Sequence, residues 1–227
     1  MFCDRCGTPV AASVEQCPRC GTPFAVVAVT PAAIPRGAVA WMAEGWNAVT
    51  ANFWIFALLG FLYLLACSVA PVLVQGPMAL GLQWACLRQI AGRRADINDL
   101  GYGFQLFPPA VLVCLATSLI IGTASLLLLL PGLAAAALLQ FPYLLVIDRN
   151  LDFIEALRES FAVSQRHIGK LLLLLTLQIG IALAGALLCG VGLFIAIPVI
   201  YASTAAAYLD LYGLRAATKV RITGMGA

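Results

Sequence analysis

Six long apolar runs constrain this chain more than any other feature of its sequence. Each has 16 to 22 residues, and their centres hold no charged side chain. About 20 helical residues cross the roughly 30 Å hydrocarbon layer of a bilayer. Only 10% of all residues are charged, whereas a soluble domain has about 25%. We therefore predict an all-α membrane protein whose six transmembrane helices form three hairpins. The predicted spans are residues 53–74, 77–92, 109–130, 132–147, 169–189 and 192–213; the fourth is short, so it is either tilted or starts before Pro131.

The positions of the basic residues predict the orientation of these spans. The tight connections Pro71–Pro77, Leu130–Leu133 and Cys189–Leu193 contain no charged residue. All 13 Lys and Arg residues fall on the other side of the predicted membrane. Because basic residues accumulate in cytoplasmic loops, that side is expected to be cytoplasmic. Both termini are thus expected in the cytoplasm. The net charge of +3 does not indicate nucleic-acid binding.

Four cysteines near the N-terminus form a second, separate motif. Cys3 and Cys6 stand in CDRCG, and Cys17 and Cys20 stand in CPRCG. Each Cys-x-x-Cys pair points two sulfurs at one metal, and four thiolates make a closed tetrahedral shell with bonds of about 2.3 Å. This spacing predicts a structural zinc site. Iron suits the same ligands, and redox dithiols are a further, less supported alternative. The remaining cysteines stand singly in apolar runs and are expected to pack as small hydrophobic side chains: Cys67, Cys86, Cys114 and Cys189.

A polar, amphipathic segment precedes each predicted hairpin. We call these segments the lead segments. Trp46, Phe104 and Phe161 occupy similar places in them, 58 and 57 residues apart. This spacing favours a threefold internal repeat, although hairpins of similar composition would also resemble one another. Such helices either lie in the headgroup layer or pack on the bundle, and the sequence leaves both open. The lead segments are residues 41–53, 96–107 and 152–168.

Composition divides the chain into four parts. Residues 1–24 are the expected zinc ribbon, 25–37 a linker, 38–214 the membrane domain and 215–227 a cytoplasmic tail. CDRCG and CPRCG resemble the short zinc ribbons at the N-termini of many bacterial membrane proteins. That resemblance covers residues 2–23 and implies a small β-hairpin fold with a role in protein contact.

The membrane part resembles a family of bacterial multi-pass proteins. It is similar to the membrane domain attached to some glycerophosphodiester phosphodiesterases, whose catalytic domain this chain lacks. The resemblance brings no catalytic residue with it. It is carried by GPMALGL (76–82), DLGYGF (99–104), LLPGLAAA (129–136), VIDRNLDFIEALRESFAVSQRH (146–167) and GALLCGVGLFIAIPVIYASTAAAYLDLYG (185–213).

Few polar residues interrupt the spans. Gln83, Gln140 and Gln178 are expected to form hydrogen bonds between helices, with a polar solute path as the alternative. Asp148 and Arg149 are expected to end the fourth span by solvation, or by an ion pair with the third lead segment. The only histidine, His167, is expected to be an interfacial residue without a catalytic role.

Three functions compete on this sequence. The first is a membrane adaptor whose zinc ribbon contacts a protein partner or a second copy of the chain. The second is a carrier or channel for a lipid or other apolar solute, since Gly- and Pro-interrupted hairpins recur in transporters. The third is a lipid enzyme, which lacks support because no nucleophile–base pair or metal-dependent motif is present. We favour the adaptor and expect no enzymatic activity.

Overall fold

The computed structural model describes residues 35–69, 71–127, 129–187, 190 and 192–223. The expected zinc ribbon and most of the linker lie outside these residues. Within them the chain forms eleven α-helices and no β-strand. The helices are α1 (Ala38–Ala51), α2 (Phe53–Val69), α3 (Pro71–Ile90), α4 (Asp99–Gln105), α5 (Phe107–Leu127), α6 (Leu129–Leu138), α7 (Pro142–Arg149), α8 (Phe153–Arg166), α9 (Ile168–Leu187), α10 (Leu193–Tyr212) and α11 (Ala216–Thr223).

The predicted all-α class is confirmed, with four to five candidate membrane spans in the described part of the chain. Four segments are long and apolar enough to cross a membrane by themselves. The pair α1 and α2 meets the same criterion only together, and it is bent by 101°. The four segments are Phe107–Leu126, Pro131–Arg149, Ile168–Leu187 and Leu193–Tyr212.

Two of the expected connections are wrong. Pro71–Pro77 was expected to join the first two spans, but α3 begins at Pro71 and contains Pro77. Likewise Leu130–Leu133 lies inside α6. Proline fits the first turn of a helix because the amides there need no intrahelical partner, and Pro71 and Pro131 both lie in the first turn of their helices. Pro77 lies further inside α3. A real interruption instead precedes Pro142, the first residue of α7.

The helices form three units of one design. In each unit a lead helix is followed, after one non-helical residue, by a long outer helix and then by an inner helix. The lead helices are α1, α4 and α8, the outer helices are α2, α5 and α9, and the inner helices are α3, α6–α7 and α10. In the spanning segment of α10, 61% of the residues are buried, compared with 22% in α5 and in α9. The inner helices therefore supply most of the core.

The units are joined in a closed ring because each lead helix packs on the inner helix of the preceding unit. Helix α4 packs on α3, and α8 packs on α6 and α7. The first lead helix, α1, packs on α10 of the last unit. The outer helices follow the same order, since each contacts its own inner helix and that of the preceding unit. This cyclic exchange supports the threefold repeat as a structural repeat.

The register of the repeat is set by the residues at which the lead helices end. Asn52, Leu106 and His167 have similar backbone angles, with φ of −137°, −106° and −124° and ψ of 47°, 37° and 21°. The residues three and seven positions before each of them are buried. These residues are Gly45 and Val49, Asp99 and Gly103, and Ser160 and Ser164.

This register corrects one expected correspondence. Trp46 and Phe161 lie six residues before Asn52 and His167, but Phe104 lies only two residues before Leu106. Phe104 is therefore not their structural equivalent. All three side chains are nevertheless exposed, by 46% to 50%.

Glycines bring the lead helices close to their partners. A Cβ at Gly45 would lie 2.6 Å from the backbone nitrogen of Ser203 in α10. A Cβ at Gly103 would overlap the carbonyl oxygen of Pro77 in α3. In lipid, helix association depends on such close packing because the surrounding acyl chains are as apolar as the helices.

We predict that Gly103→Ala lowers the free energy of unfolding by about 1–3 kcal/mol, as overpacking does elsewhere. Gly101→Ala in the same helix is the matched control, because nothing lies within 4 Å of its added Cβ. The control is expected to be neutral or to stabilise by up to about 1 kcal/mol through helix propensity. Thermal unfolding in detergent measures both. Equal stability of the two variants would contradict the packing described for α4.

Candidate functional site at the charged end of the bundle

Three carboxylates are buried where the lead helices meet the inner helices. We call this region the charged end of the bundle; it comprises α1, α4, α8, α11 and the adjoining ends of the inner helices. Asp99, Asp148 and Asp210 are only 4%, 5% and 6% exposed. A buried carboxylate costs several kcal/mol unless it is paired and hydrogen-bonded. The hydrogen-bond donors around each carboxylate therefore show which parts of the chain it holds together.

Asp210 joins the first unit to the last. Its Oδ2 accepts hydrogen bonds from the backbone nitrogen of Arg36 at 2.6 Å and from Nε1 of Trp41 at 2.8 Å. Its Oδ1 accepts from Nε of Arg36 at 3.2 Å. Trp41 is fully buried, so its indole N–H has no access to water as an alternative acceptor. These three bonds fix the start of α1 against the end of α10.

Arg36 also binds an acid of α1, the helix that follows it. Its Nη2 lies 2.8 Å from Oε2 of Glu44. Partial burial alone would lower the pKa of Arg36, but the carboxylates of Glu44 and Asp210 outweigh it and raise that pKa above its ordinary value. The guanidinium is thus cationic whenever its two acceptors are ionised.

The other two interfaces also carry an ion pair between a lead helix and the preceding inner helix. Arg88 of α3 pairs with Asp99 at the start of α4, and Asp99 Oδ2 also accepts from the backbone nitrogen of Asp96 at 2.8 Å. Arg149 of α7 lies 3.2 Å from Glu159 of α8. This last pair confirms the ion pair expected between Arg149 and the third lead segment. Both of its side chains are partly exposed, so it contributes less than a buried pair would.

Asp148 binds the C-terminal part of the chain. Its Oδ2 accepts from the Tyr208 hydroxyl at 2.8 Å, and its Oδ1 accepts from the backbone nitrogen of Arg215 at 3.2 Å. Thr218 of α11 donates to the Asp148 carbonyl at 3.1 Å. The expectation that Asp148 ends its span by solvation is therefore wrong. The end of α7 is buried because α10 and the segment before α11 cover it.

The first residues of the expected tail pack on the bundle. Leu214, Thr218 and Ile222 are buried at four-residue spacing. The Ile222 carbonyl accepts from Nε of Arg93 at 3.0 Å, and Nη1 of Arg221 donates to the Tyr102 hydroxyl at 2.7 Å. Helix α11 thus lies across the ends of the first two units.

Among the polar residues of the spans, Gln178 behaves as expected. Its amide nitrogen donates to Oγ of Ser203 at 3.1 Å and to Oγ1 of Thr204 at 3.0 Å, both in α10. Gln83 and Gln140 do not complete the same pattern in the described part of the chain. Oε1 of Gln83 and both amide atoms of Gln140 are buried there without a hydrogen-bond partner.

Sequence reasoning missed the acceptor that closes the ring. Asp210 stands three residues before the end of an apolar run, and an acid that close to a span end was a usable signal. Its partners, Arg36 and Trp41, lie 174 and 169 residues away in sequence. Asp152 takes the N-cap position of α8, but its side chain forms no capping hydrogen bond.

Chemically, this arrangement holds helices together. Each buried carboxylate accepts two or three hydrogen bonds from other groups of the protein. No group of three or more His, Cys, Asp or Glu side chains that could hold a metal occurs among the described residues. Cys3, Cys6, Cys17 and Cys20 lie outside those residues, so their metal site stays a prediction.

No protein-family model matches the chain, and no curated protein or solved structure does either.

We predict that Asp210→Asn lowers the free energy of unfolding by about 1.5–3 kcal/mol, the range for hydrogen bonds to a charged group. Asp152→Asn is the matched control, because that carboxylate is exposed and surface changes usually stay within about 0.5 kcal/mol. Chemical unfolding in detergent gives the difference. Trypsin is also expected to cut faster after Arg36 in Asp210→Asn. Unchanged stability and cleavage in this variant would show that the contact does not hold α1.

Proposed function

We propose that the protein is an integral membrane adaptor whose N-terminal zinc ribbon contacts a protein partner or a second copy of the chain. The observation that carries this proposal is the fixed position of the last residues of the linker. Arg36 is held by Asp210 and Glu44, and Nζ of Lys170 donates to the Pro35 carbonyl at 2.7 Å. Whatever residues 1–34 bind is thereby attached to a defined point at the charged end.

The interior of the bundle supports an anchoring role over a chemical one. In the described part of the chain, its buried carboxylates serve interhelical contacts. The resemblance to a bacterial family of zinc-ribbon membrane proteins points the same way, since it brings protein contact and no catalytic residue. The composition gives no reason to expect nucleic acid as a partner; the expected partners are membrane lipids and protein.

The proposed membrane arrangement has six spans, with both termini in the cytoplasm of a bacterial inner membrane. Four candidate spans, the bent pair α1–α2 and the largely apolar α3 together support a total of six spans. The basic residues support the orientation, because they accumulate on the cytoplasmic side. The right-angled bend between α1 and α2, together with exposed Trp46 and Trp54, supports a position of the first lead helix in the headgroup layer, where tryptophan is enriched.

Single cysteines test this orientation. We expect Glu155→Cys, at the charged end, to react with a membrane-impermeant maleimide only in inverted vesicles. Leu126→Cys and Leu187→Cys, at the opposite ends of α5 and α9, are expected to react only in intact cells stripped of their outer membrane. All three are made in a chain whose native cysteines outside the CDRCG and CPRCG motifs are replaced by serine. Labelling of Glu155→Cys from outside would reject the orientation.

Metal analysis tests the zinc ribbon. Full-length protein purified under reducing conditions is expected to contain about one zinc ion per chain, since four thiolates complete one tetrahedral shell. The double variant Cys3→Ser, Cys6→Ser is expected to lose it, because two ligands do not close that shell. Cys67→Ser is the matched control and is expected to retain the metal. Metal-free wild-type protein, or bound iron in place of zinc, would contradict the assignment.

Photo-crosslinking tests the adaptor role in cells. A benzophenone amino acid in place of Arg19, between the two cysteines of CPRCG, is expected to give a discrete product, either with another protein or with a second copy. The product is expected to disappear in Cys3→Ser, Cys6→Ser and to persist in Cys67→Ser. If no discrete product forms, or if it forms equally well with the zinc ligands removed, the adaptor role is wrong even where the zinc content is as expected.

A further inference from the structure

An open groove lies between the start of α5 and the corner that joins α7 to α8. Its volume is about 340 Å³, within the range of small-molecule sites. Six of its eight lining residues are apolar. They are Leu106, Pro108, Pro109, Leu112, Val146 and Leu151.

The groove lies where two candidate spans end. One candidate span begins at Phe107, next to Leu106, and another ends at Arg149, next to Asn150. Both walls therefore stand at the level at which the hydrocarbon layer gives way to the polar headgroups. Leu112 on the α5 wall is 42% exposed. An apolar groove that opens at this depth is filled from the membrane.

The two polar lining residues stand together at one end of the groove. Asn150, with a left-handed φ of 52°, turns the chain, and Asp152 follows it at the N-cap of α8. Both are exposed, and the Asp152 side chain forms no capping hydrogen bond. The nearest basic side chain in sequence, Arg149, is occupied by Glu159 and by the ring of Tyr212, whose centroid lies 5.3 Å from its guanidinium carbon. The Asp152 carboxylate thus gives this end of the groove a negative group that can pair with a cation.

We propose that this groove binds a phospholipid with a primary-amine headgroup. One acyl chain lies along Pro109, Leu112 and Val146, and the ammonium group pairs with the Asp152 carboxylate. The charge of Asp152 selects the amine because a carboxylate attracts an ammonium and repels an anionic headgroup. The site is separate from the zinc ribbon and depends only on the position of the chain in a membrane.

A crosslinker inside the groove tests this proposal. A benzophenone amino acid replaces Leu112 in the full-length protein, which is placed in vesicles with equal amounts of phosphatidylethanolamine and phosphatidylglycerol of the same acyl chains. Leu115 is the matched control position, because it lies on the same helix, is 46% exposed and does not line the groove. After irradiation, mass spectrometry identifies the crosslinked species.

At position 112 we expect lipid adducts enriched in phosphatidylethanolamine by about two- to fivefold, the range for one exposed ion pair. At position 115 the adducts are expected to follow the bulk ratio. Asp152→Asn is expected to remove the enrichment at position 112, whereas Glu155→Gln, which removes the same charge one turn further along α8, leaves it unchanged. Bulk ratios at position 112, or enrichment that survives Asp152→Asn, would overturn the proposal. So would a main product that joins position 112 to residues 1–34 or to a second copy.

Discussion

The ring of three units closes through one buried carboxylate. Asp210 accepts three hydrogen bonds from the start of the first unit, and those donors lie 169 to 174 residues away in the sequence. Burying a carboxylate is unfavourable unless its oxygens are satisfied, and here the indole of Trp41 and the backbone and side chain of Arg36 satisfy them. The contact is specific because only this geometry compensates the loss of hydration.

All three interfaces carry an ion pair at the charged end, and at α1 and α4 glycines also allow close backbone packing. Neither is sufficient alone. Apolar packing between helices in lipid gains little from the hydrophobic effect, and partly exposed ion pairs contribute only about 0–1 kcal/mol. Glycines such as Gly45 and Gly103 let backbones approach, and pairs such as Arg88 with Asp99 select one register among several that would pack comparably.

Apolar length and charge position predicted much of this fold, because both act locally in the sequence. They gave the helical class, candidate spans and three lead segments. They could not give the start of α3 at Pro71, because proline both ends and begins helices. Apolar length and charge position also could not predict the contact of Arg36 with Asp210, because a pairing across 174 residues leaves no periodic pattern in the sequence. The cysteine motif predicts a metal site from spacing alone, and that prediction is independent of the bundle.

The exchange of lead helices around the ring has a consequence for biosynthesis. The ribosome delivers α1 first, yet the surface that receives it belongs to α10, the last inner helix to be made. Throughout translation the nascent chain must therefore keep an amphipathic segment, with Trp41 on its apolar side, unassembled. Contacts between such distant parts of a chain form slowly. In the proposed membrane arrangement, the headgroup layer holds this segment until α10 is inserted and the two ends can meet.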